Sequence, residues 1–127
     1  MRWSGDDAAV VRARPLAVTS IDTVVDGVHF SMATHSPADV GWKALATALS
    51  DIAAMGAEAG EAYVALVLPP GFEGALELVG AMEELAERSG VTIAGRRAHA
   101  ARAWLRAAQV GTLLLGWARG TRASWRG

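Results

Sequence analysis

"LAVTSIDTVVDGVHF", residues 16–30, is the stretch that decides the fold, because an extended apolar segment leads directly into two carboxylates and a histidine. Over residues 16–22 the side chains alternate between two faces, and this period of two predicts a short, mostly buried strand. Asp22 stands at its end, and Asp26 and His29 follow within seven residues. The stretch therefore predicts a strand that carries acidic groups to the edge of an apolar core.

Helices and strands alternate along the rest of the chain. Ser36-Pro37 is typical of a helix start, and that helix should run to about Met55 and end at Gly56. "EAYVALVLPPG" (61–71) predicts a second strand, "FEGALELVGAMEELAERSG" (72–90) a second amphipathic helix, and "VTIAG" (91–95) a third strand. This order predicts an α/β fold of layered α+β type, a mixed β-sheet with helices packed on one face.

Composition limits the classes of function. The 127 residues suit one domain, and the absence of cysteine excludes disulfides and thiolate metal sites. The N-terminus lacks a secretory apolar region, and no run reaches the roughly eighteen apolar residues of a membrane span. We therefore expect a cytoplasmic protein without membrane contact, in which any metal is bound by oxygen or imidazole.

Five acidic residues at four sites fall near the predicted element ends: the "GDD" pair Asp6 and Asp7, then Asp22, Asp26 and Asp51. Taken singly, each is most simply a cap or a solvated surface residue. Taken together, several carboxylates without thiolates are how proteins hold Mg²⁺, usually with substrate phosphates completing its shell. No "GxxxxGK[ST]" or "GxGxxG" loop is present, so other phosphate-binding motifs have no support.

His29 and Lys43 also allow a structural explanation. A histidine between Val28 and Phe30 is more often a hydrogen-bonded packing residue than a catalyst. Lys43 is most simply expected to pair with carboxylates on the polar side of its own helix.

Three motifs in this order, "GDDAAVV", "VTSIDTVVDGVHF" and "GWKALATALSDIAAMGA", closely resemble the N-terminal half of the thiamine-monophosphate kinase family. That family belongs to the superfamily of ATP-dependent enzymes related to aminoimidazole ribonucleotide (AIR) synthetase. The resemblance covers about residues 4–95, and "DGVHF" favours the thiamine kinase branch over the purine, selenophosphate and hydrogenase-maturation branches.

The resemblance implies an AIR synthase-like N-terminal domain and the ATP-dependent phosphorylation of thiamine monophosphate to thiamine diphosphate, with Mg²⁺ as cofactor. Bridging metals neutralise the two anionic reactants and hold them in line. The ligands it implies are Asp7, Ser20, Asp22 and Asp51, with His29 on the substrate phosphate and Asp6 and Asp26 as neighbours. It names no catalytic side chain beyond these, and it implies a homodimer whose sheets form a barrel.

The sequence departs from the family pattern at several points. Ile21 stands where Thr is common, so we expect one metal-contacting hydroxyl to be lost. The family's "GGD" after the third strand is replaced by "AGRRAHA", without the acid. This sequence also lacks the segment that precedes "GDD" in the family and the family's second domain. We therefore expect a truncated or frameshifted chain that is inactive by itself or needs a missing partner.

The charge divides the chain into 1–95, an AIR synthase-related N-terminal domain incomplete at its start, and 96–127, a basic tail. The first part has 13 acidic and 5 basic residues, whereas the second has seven arginines and no acid. The tail is explained either as an out-of-frame product, as a basic anion- or nucleic-acid-binding segment, or as a remnant final strand in "VGTLLLGWA". Because residues 1–95 are net acidic, we do not expect a nucleic-acid partner.

Two alternatives to the kinase remain. One is another ATP-dependent AIR synthase-like enzyme that uses the same carboxylates on a different substrate. The other is a non-catalytic remnant that dimerises or binds metal.

Overall fold

The structure is a computed structural model that describes the backbone of residues 3–4, 9–10, 13–100 and 109–118, and the side chains of 13–94 and 109–117. Within these ranges the chain forms β1 (Trp3–Ser4), β2 (Ala9–Val10), β3 (Ala17–Val25), α1 (Pro37–Ala54), β4 (Ala57–Leu68), α2 (Ala75–Ser89), β5 (Thr92–Ala100) and β6 (Gln109–Ala118). β1 and β2 form a small antiparallel pair.

The other four strands form one mixed sheet in the order β3-β6-β4-β5. β6 is antiparallel to both of its neighbours, and β5 is parallel to β4. This confirms the predicted fold class. The last strand, β6, contains "VGTLLLGWA", for which the sequence allowed a strand as one of three explanations of the tail. The sheet therefore continues beyond residue 95. β6, which comes from the basic segment, lies between β3 and β4.

Both helices lie on the same side of the sheet. α1 packs on β3, β6 and β4, and α2 packs mainly on α1 and reaches β5. We call the side beneath α1 the helix face; from β3 it includes Ser20, Asp22 and Val24, and from β6 Val110, Thr112 and Leu114. The opposite side is the outer face, with Thr19, Ile21 and Thr23 from β3 and Leu113 and Leu115 from β6.

The apolar core lies between the helix face and the two helices. Its fully buried side chains include Leu45 and Ile52 of α1, Leu78 and Met82 of α2, and Leu114 of β6. The two helices are in close contact, since a Cβ built on Gly41 of α1 would clash with the backbone carbonyl oxygen of Leu78 in α2. Only glycine at position 41 allows α1 and α2 to approach this closely.

The start of α1 has the cap that the sequence predicts. The Ser36 hydroxyl accepts from the Asp39 backbone N–H at 3.1 Å, and the Asp39 carboxylate accepts from the Ser36 N–H at 2.9 Å. These two bonds form a reciprocal capping box. The hydrogen bonds from the Ser36 backbone and side chain, with a smaller effect of nearby His35, lower the pKa of Asp39 below its usual value.

Some bounds differ from the sequence prediction. β3 extends to Val25 instead of ending at Asp22, and β4 begins at Ala57 instead of Glu61. Hydrogen bonding to β6 explains both extensions, because β6 pairs with Asp22 through Val25 on one side and with Ala57 through Ala59 on the other. β6, the strand that lengthens both, begins more than fifty residues after the start of β4 and further still after the start of β3.

Candidate functional site

The site begins where β3 and the last turn of α1 meet. Ser20 lies on the helix face of β3, and its hydroxyl donates to Asp51 Oδ2 at 3.0 Å. Asp51 is on the last turn of α1, at the border between its polar side and its buried side. Two residues from different motifs, 31 positions apart, are thus in direct contact.

Asp22 lies two residues further along β3, on the same face as Ser20. Its side chain is half-buried, and its Oδ1 accepts from the Thr23 backbone N–H at 2.8 Å. Ser20 and Asp22 are about 7 Å apart along the strand, given the usual rise per residue. The structure therefore places Ser20, Asp22 and Asp51 along one side of the sheet but brings only Ser20 and Asp51 into contact.

This set of donors has the chemistry of a magnesium site that is completed by other ligands. Among the residues that the structure describes, no three Asp, Glu or His side chains are grouped closely enough to hold a metal by themselves. Two carboxylates and a hydroxyl nevertheless match the usual Mg²⁺ site, in which one or two carboxylates share the ion with water and substrate phosphates. The residues present fit the ion in that mode.

Asp6 and Asp7 lie outside the described residues. The structure therefore gives no position for the "GDD" carboxylates relative to Ser20 and Asp51, and their role stays a prediction. The same applies to the side chains of the "AGRRAHA" segment from Gly95 onward, although its backbone belongs to β5.

Asp26 shapes the loop that follows β3. Its Oδ1 accepts from the Met32 backbone N–H at 3.1 Å, and its backbone forms an isolated bridge with Phe30. Gly27, with φ of +83°, allows the tight turn between them. The Asp26 carboxylate thus stabilises the loop of residues 26–32, which agrees with the simple capping role that the sequence allows.

The orientation of His29 is fixed from two directions. Its Nδ1 accepts from the Val25 backbone N–H at 3.0 Å, so the neutral ring carries its proton on Nε2. Lys43 of α1 donates through Nζ to the carbonyl oxygen of His29 at 2.6 Å. Because the His29 side chain is exposed, its Nε2–H is a fixed donor that can reach an anionic ligand.

Lys43 is a residue whose role the sequence prediction missed. The expected pairing with carboxylates of its own helix is wrong in this structure, since the ammonium group binds the loop carbonyl instead. A lysine on the polar side of a helix gives no sign of which loop will pass beside it. Only the packing of α1 beside residues 26–35 brings the two together.

Ile21 lies on the outer face of the sheet. Its side chain is 73% exposed there, on the opposite side of β3 from Ser20 and Asp22. A hydroxyl at position 21 would therefore point away from the Ser20–Asp51 pair. The expected loss of a metal-contacting hydroxyl at this position stays a prediction.

Thr112 of β6 lies opposite Asp22 in the register of the sheet. It is 1% exposed, and within the described part of the chain its Oγ1 has no hydrogen-bond partner. Sequence reasoning did not identify it, because a threonine in an apolar strand is ordinary.

A known protein family matches most of this chain. The family described as "AIR synthase related protein, N-terminal domain" matches residues 5–113. The chain belongs to this family. The match to the AIR synthase related domain continues past residue 95 and ends inside β6.

Similar proteins within this family are thiamine-monophosphate kinases. The enzyme of that name from Synechococcus elongatus is 51% identical over 67 residues, which cover 51% of this chain and 20% of the relative. A crystal structure of thiamine-monophosphate kinase from Stenotrophomonas maltophilia K279a superposes with a TM-score of 0.78 at 32% identity, covering 92% of this chain and 37% of that one. The structure "AaThiL complexed with AMPPCP and TMP" has the same fold, with a TM-score of 0.70 at 24% identity, over 79% of this chain and 31% of that one.

The resemblance expected from the three motifs is therefore confirmed, as is the AIR synthase-like domain. This chain spans about a fifth of the Synechococcus relative and about a third of the two structures. Within the described residues, neither helix has the length and apolar character that crossing a bilayer requires.

Proposed function

We propose that this chain provides the N-terminal part of an ATP-dependent kinase that phosphorylates thiamine monophosphate to thiamine diphosphate. The observation that carries the proposal is the Ser20–Asp51 hydrogen bond. It joins the "SID" and "LSD" motifs, which resemble those of the kinases, into one oxygen-rich site. The similarity to proteins named thiamine-monophosphate kinase and the AMPPCP and TMP in a protein of the same fold support the choice of substrates.

Asp22 and Asp51 would hold Mg²⁺, with Ser20 as a neutral oxygen ligand and Asp7 as a further carboxylate from the "GDD" turn. Bound there, the ion would neutralise the charge of the reacting phosphates. The Ser20 hydroxyl orients Asp51 Oδ2. This leaves the other carboxylate oxygen of Asp51 free to turn toward a cation, and Asp6 and Asp26 would be neighbours of the site.

His29 would bind the phosphate of thiamine monophosphate. The Val25 N–H occupies Nδ1 and so leaves Nε2–H as the donor, while Lys43 holds the backbone of the same residue. A neutral donor fixed at both ends loses little conformational entropy when it binds an anion. No described side chain needs to act as an acid or base, because positioning and charge neutralisation dominate phosphoryl transfer.

We further propose a cytoplasmic homodimer that associates through the outer face. Ile21 is 73% exposed there, and it lies directly opposite Leu113, which in turn lies opposite Tyr63 of β4. Three large side chains in one row across the sheet form an apolar strip that a second copy would cover. The same strip is what a non-catalytic dimerising remnant would retain, so dimer formation alone does not separate the two functions.

Nucleotide binding separates the kinase proposal from that alternative. We expect the purified 127-residue chain to bind ATP in a Mg²⁺-dependent manner, measured by calorimetry with and without the metal. Asp51→Asn and Asp22→Asn should each weaken Mg²⁺-dependent binding by about tenfold or more, because each removes a charged ligand. Glu87→Gln, which removes one exposed charge from α2, is the matched control and should leave binding unchanged.

Turnover of thiamine monophosphate is the second measurement. We expect none from the chain alone, since it spans only part of the length of the kinases that it matches. A dimer without Mg²⁺-dependent nucleotide binding would contradict the kinase proposal and favour the remnant. ATP hydrolysis that responds to another acceptor in a substrate panel would favour a different AIR synthase-like enzyme.

A further inference from the structure

Thr112 is a buried polar residue without a partner in the described part of the molecule. It occupies the middle of β6, the strand that pairs with both β3 and β4, and it is 1% exposed. Its Oγ1 makes no hydrogen bond there. An unsatisfied hydroxyl in a core costs stability, and it therefore requires an explanation.

The surroundings of Thr112 leave one direction for a hydrogen bond within the sheet. Along β6, its neighbours on the helix face are Val110 and Leu114, and its partner in β4 is Val64, all of them buried and apolar. Its partner in β3 is Asp22. Directly opposite residues on one face have Cβ atoms about 5 Å apart, which is within reach of a threonine hydroxyl and a carboxylate.

Asp22 has the capacity to receive that bond. In this structure its Oδ1 accepts from the neighbouring Thr23 N–H, a bond that turns the carboxylate along its own strand. A carboxylate that binds a cation must be held in one orientation, and metal-binding carboxylates are generally hydrogen-bonded by a neighbouring group. Thr112 lies opposite Asp22, and its hydroxyl could donate such a hydrogen bond.

We propose that Thr112 is a positioning residue whose hydroxyl donates to the Asp22 carboxylate when Asp22 binds a divalent cation. Within the described residues the hydroxyl has no other hydrogen-bond partner. The inference rests on the proposed function, because it takes Asp22 as a ligand. It adds a residue of β6, from the segment beyond residue 95, to the metal site.

The proposal predicts opposite effects of one substitution on stability and on metal binding. Thr112→Val keeps the shape of the side chain and removes the unsatisfied hydroxyl, so the metal-free chain should melt a few degrees higher, about 3 °C. The same variant should bind Mn²⁺ alone about tenfold more weakly, because Asp22 loses its positioning partner. A merely structural threonine would not produce both changes.

The test uses the 127-residue chain, with Mn²⁺ binding followed by the loss of the free-ion EPR signal and thermal unfolding followed without metal. Thr112→Ser, which keeps the hydroxyl, should bind Mn²⁺ within about twofold of the unsubstituted chain. Thr23→Val is the matched control, since it makes the same change on the outer face of β3, and it should alter neither Mn²⁺ binding nor its dependence on Asp22.

Three results would overturn the inference, and they differ from one another. Unchanged Mn²⁺ binding by Thr112→Val would refute the role of Thr112 while leaving the proposed function intact. A lower melting temperature for that variant would mean that the hydroxyl already has a partner in the metal-free fold. Failure of the unsubstituted chain to bind Mn²⁺ at all would remove the metal site of the proposed function, and this inference with it.

Discussion

The two faces of the sheet use the same strands for different purposes. On β3, Ser20 and Asp22 point toward α1, and Ile21 between them points away. The helix face combines a buried apolar layer with the polar pair at its edge, whereas the outer face carries Ile21 and Leu113, and neither of the two helices in the described residues covers it. Adjacent residues in one strand therefore differ in function because a strand alternates its side chains.

The position of the site depends on the core beneath it. Asp51 is exposed, but the next residue of α1, Ile52, is 1% exposed and packed in the core. A Cβ on Gly116 of β6 would lie 3.0 Å from an Ile52 side-chain carbon, so α1 and the sheet are already in close contact there. Packing of Ile52 against β6 fixes the height at which Asp51 meets Ser20.

The largest expected effect tests the difference between the faces directly. Leu114→Ala, on the helix face, should lower the free energy of unfolding by about 3 kcal/mol, because a fully buried leucine leaves a cavity. Leu113→Ala, one residue away on the outer face, should cost less than about 1 kcal/mol in the monomer, because Leu113 is only partly buried. Urea unfolding at low protein concentration measures both.

If Leu113→Ala and Leu114→Ala lower the free energy of unfolding of the monomer equally, the difference between the two faces is contradicted, because the outer face would then be covered by other parts of the chain. A cost of Leu113→Ala that grows with protein concentration would instead support the proposed dimer.

A smaller effect concerns the helix that makes one face different from the other. Ser36→Ala removes the hydroxyl that accepts from the Asp39 N–H, one of the two bonds of the capping box, and should lower the free energy of unfolding by about 1 kcal/mol at neutral pH. The pKa of Asp39 is lowered in the folded protein, so its contribution is present above the unfolded pKa near 3.8 and is lost as the pH falls through the folded pKa.

The difference in stability between the parent chain and Asp39→Asn, which removes the charge of the carboxylate, should therefore shrink below about pH 4, as measured by urea unfolding across that range. Glu77→Gln is the control for a first-turn acid on α2, which has no side-chain cap. A difference that stays constant down to pH 2 would show that the Asp39 carboxylate takes no part in the cap.

The smallest expected effect is at Ile21. Ile21→Thr restores the residue common in the kinase family, yet it lies on the outer face. We expect Mn²⁺ affinity to change less than about twofold and the free energy of unfolding of the monomer to change by no more than about 0.5 kcal/mol. Calorimetric titration checks the affinity, and severalfold tighter binding would mean that residue 21 does reach the metal site.

Much of the fold could be predicted from local patterns. Ser36-Pro37 and Gly56 bounded α1, and Gly90, with φ of +69°, ended α2 where the sequence indicates. Such signals depend on neighbouring residues, since caps and positive-φ glycines satisfy the helix ends locally. Met55, just beyond the last residue of α1, has a side chain that is 54% exposed.

The candidate site was predictable only in part. Its residue types follow from a strand-end motif and a helix-end motif that share a family pattern, whereas the hydrogen bond between Ser20 and Asp51 comes from the tertiary structure. Lys43 and Thr112 could not be assigned in this way. Their partners, the His29 carbonyl and the position opposite Asp22, are set by long-range packing and by strand register.

By itself the sequence determined the element types, their caps and the acidic character of the strand end, because these depend on periodicity and on nearest neighbours. Only the tertiary structure decided that a strand from the basic segment enters the sheet between β3 and β4. That placement sets which residues face α1 and which face outward, and it depends on hydrogen bonds and buried contacts between residues far apart in the chain.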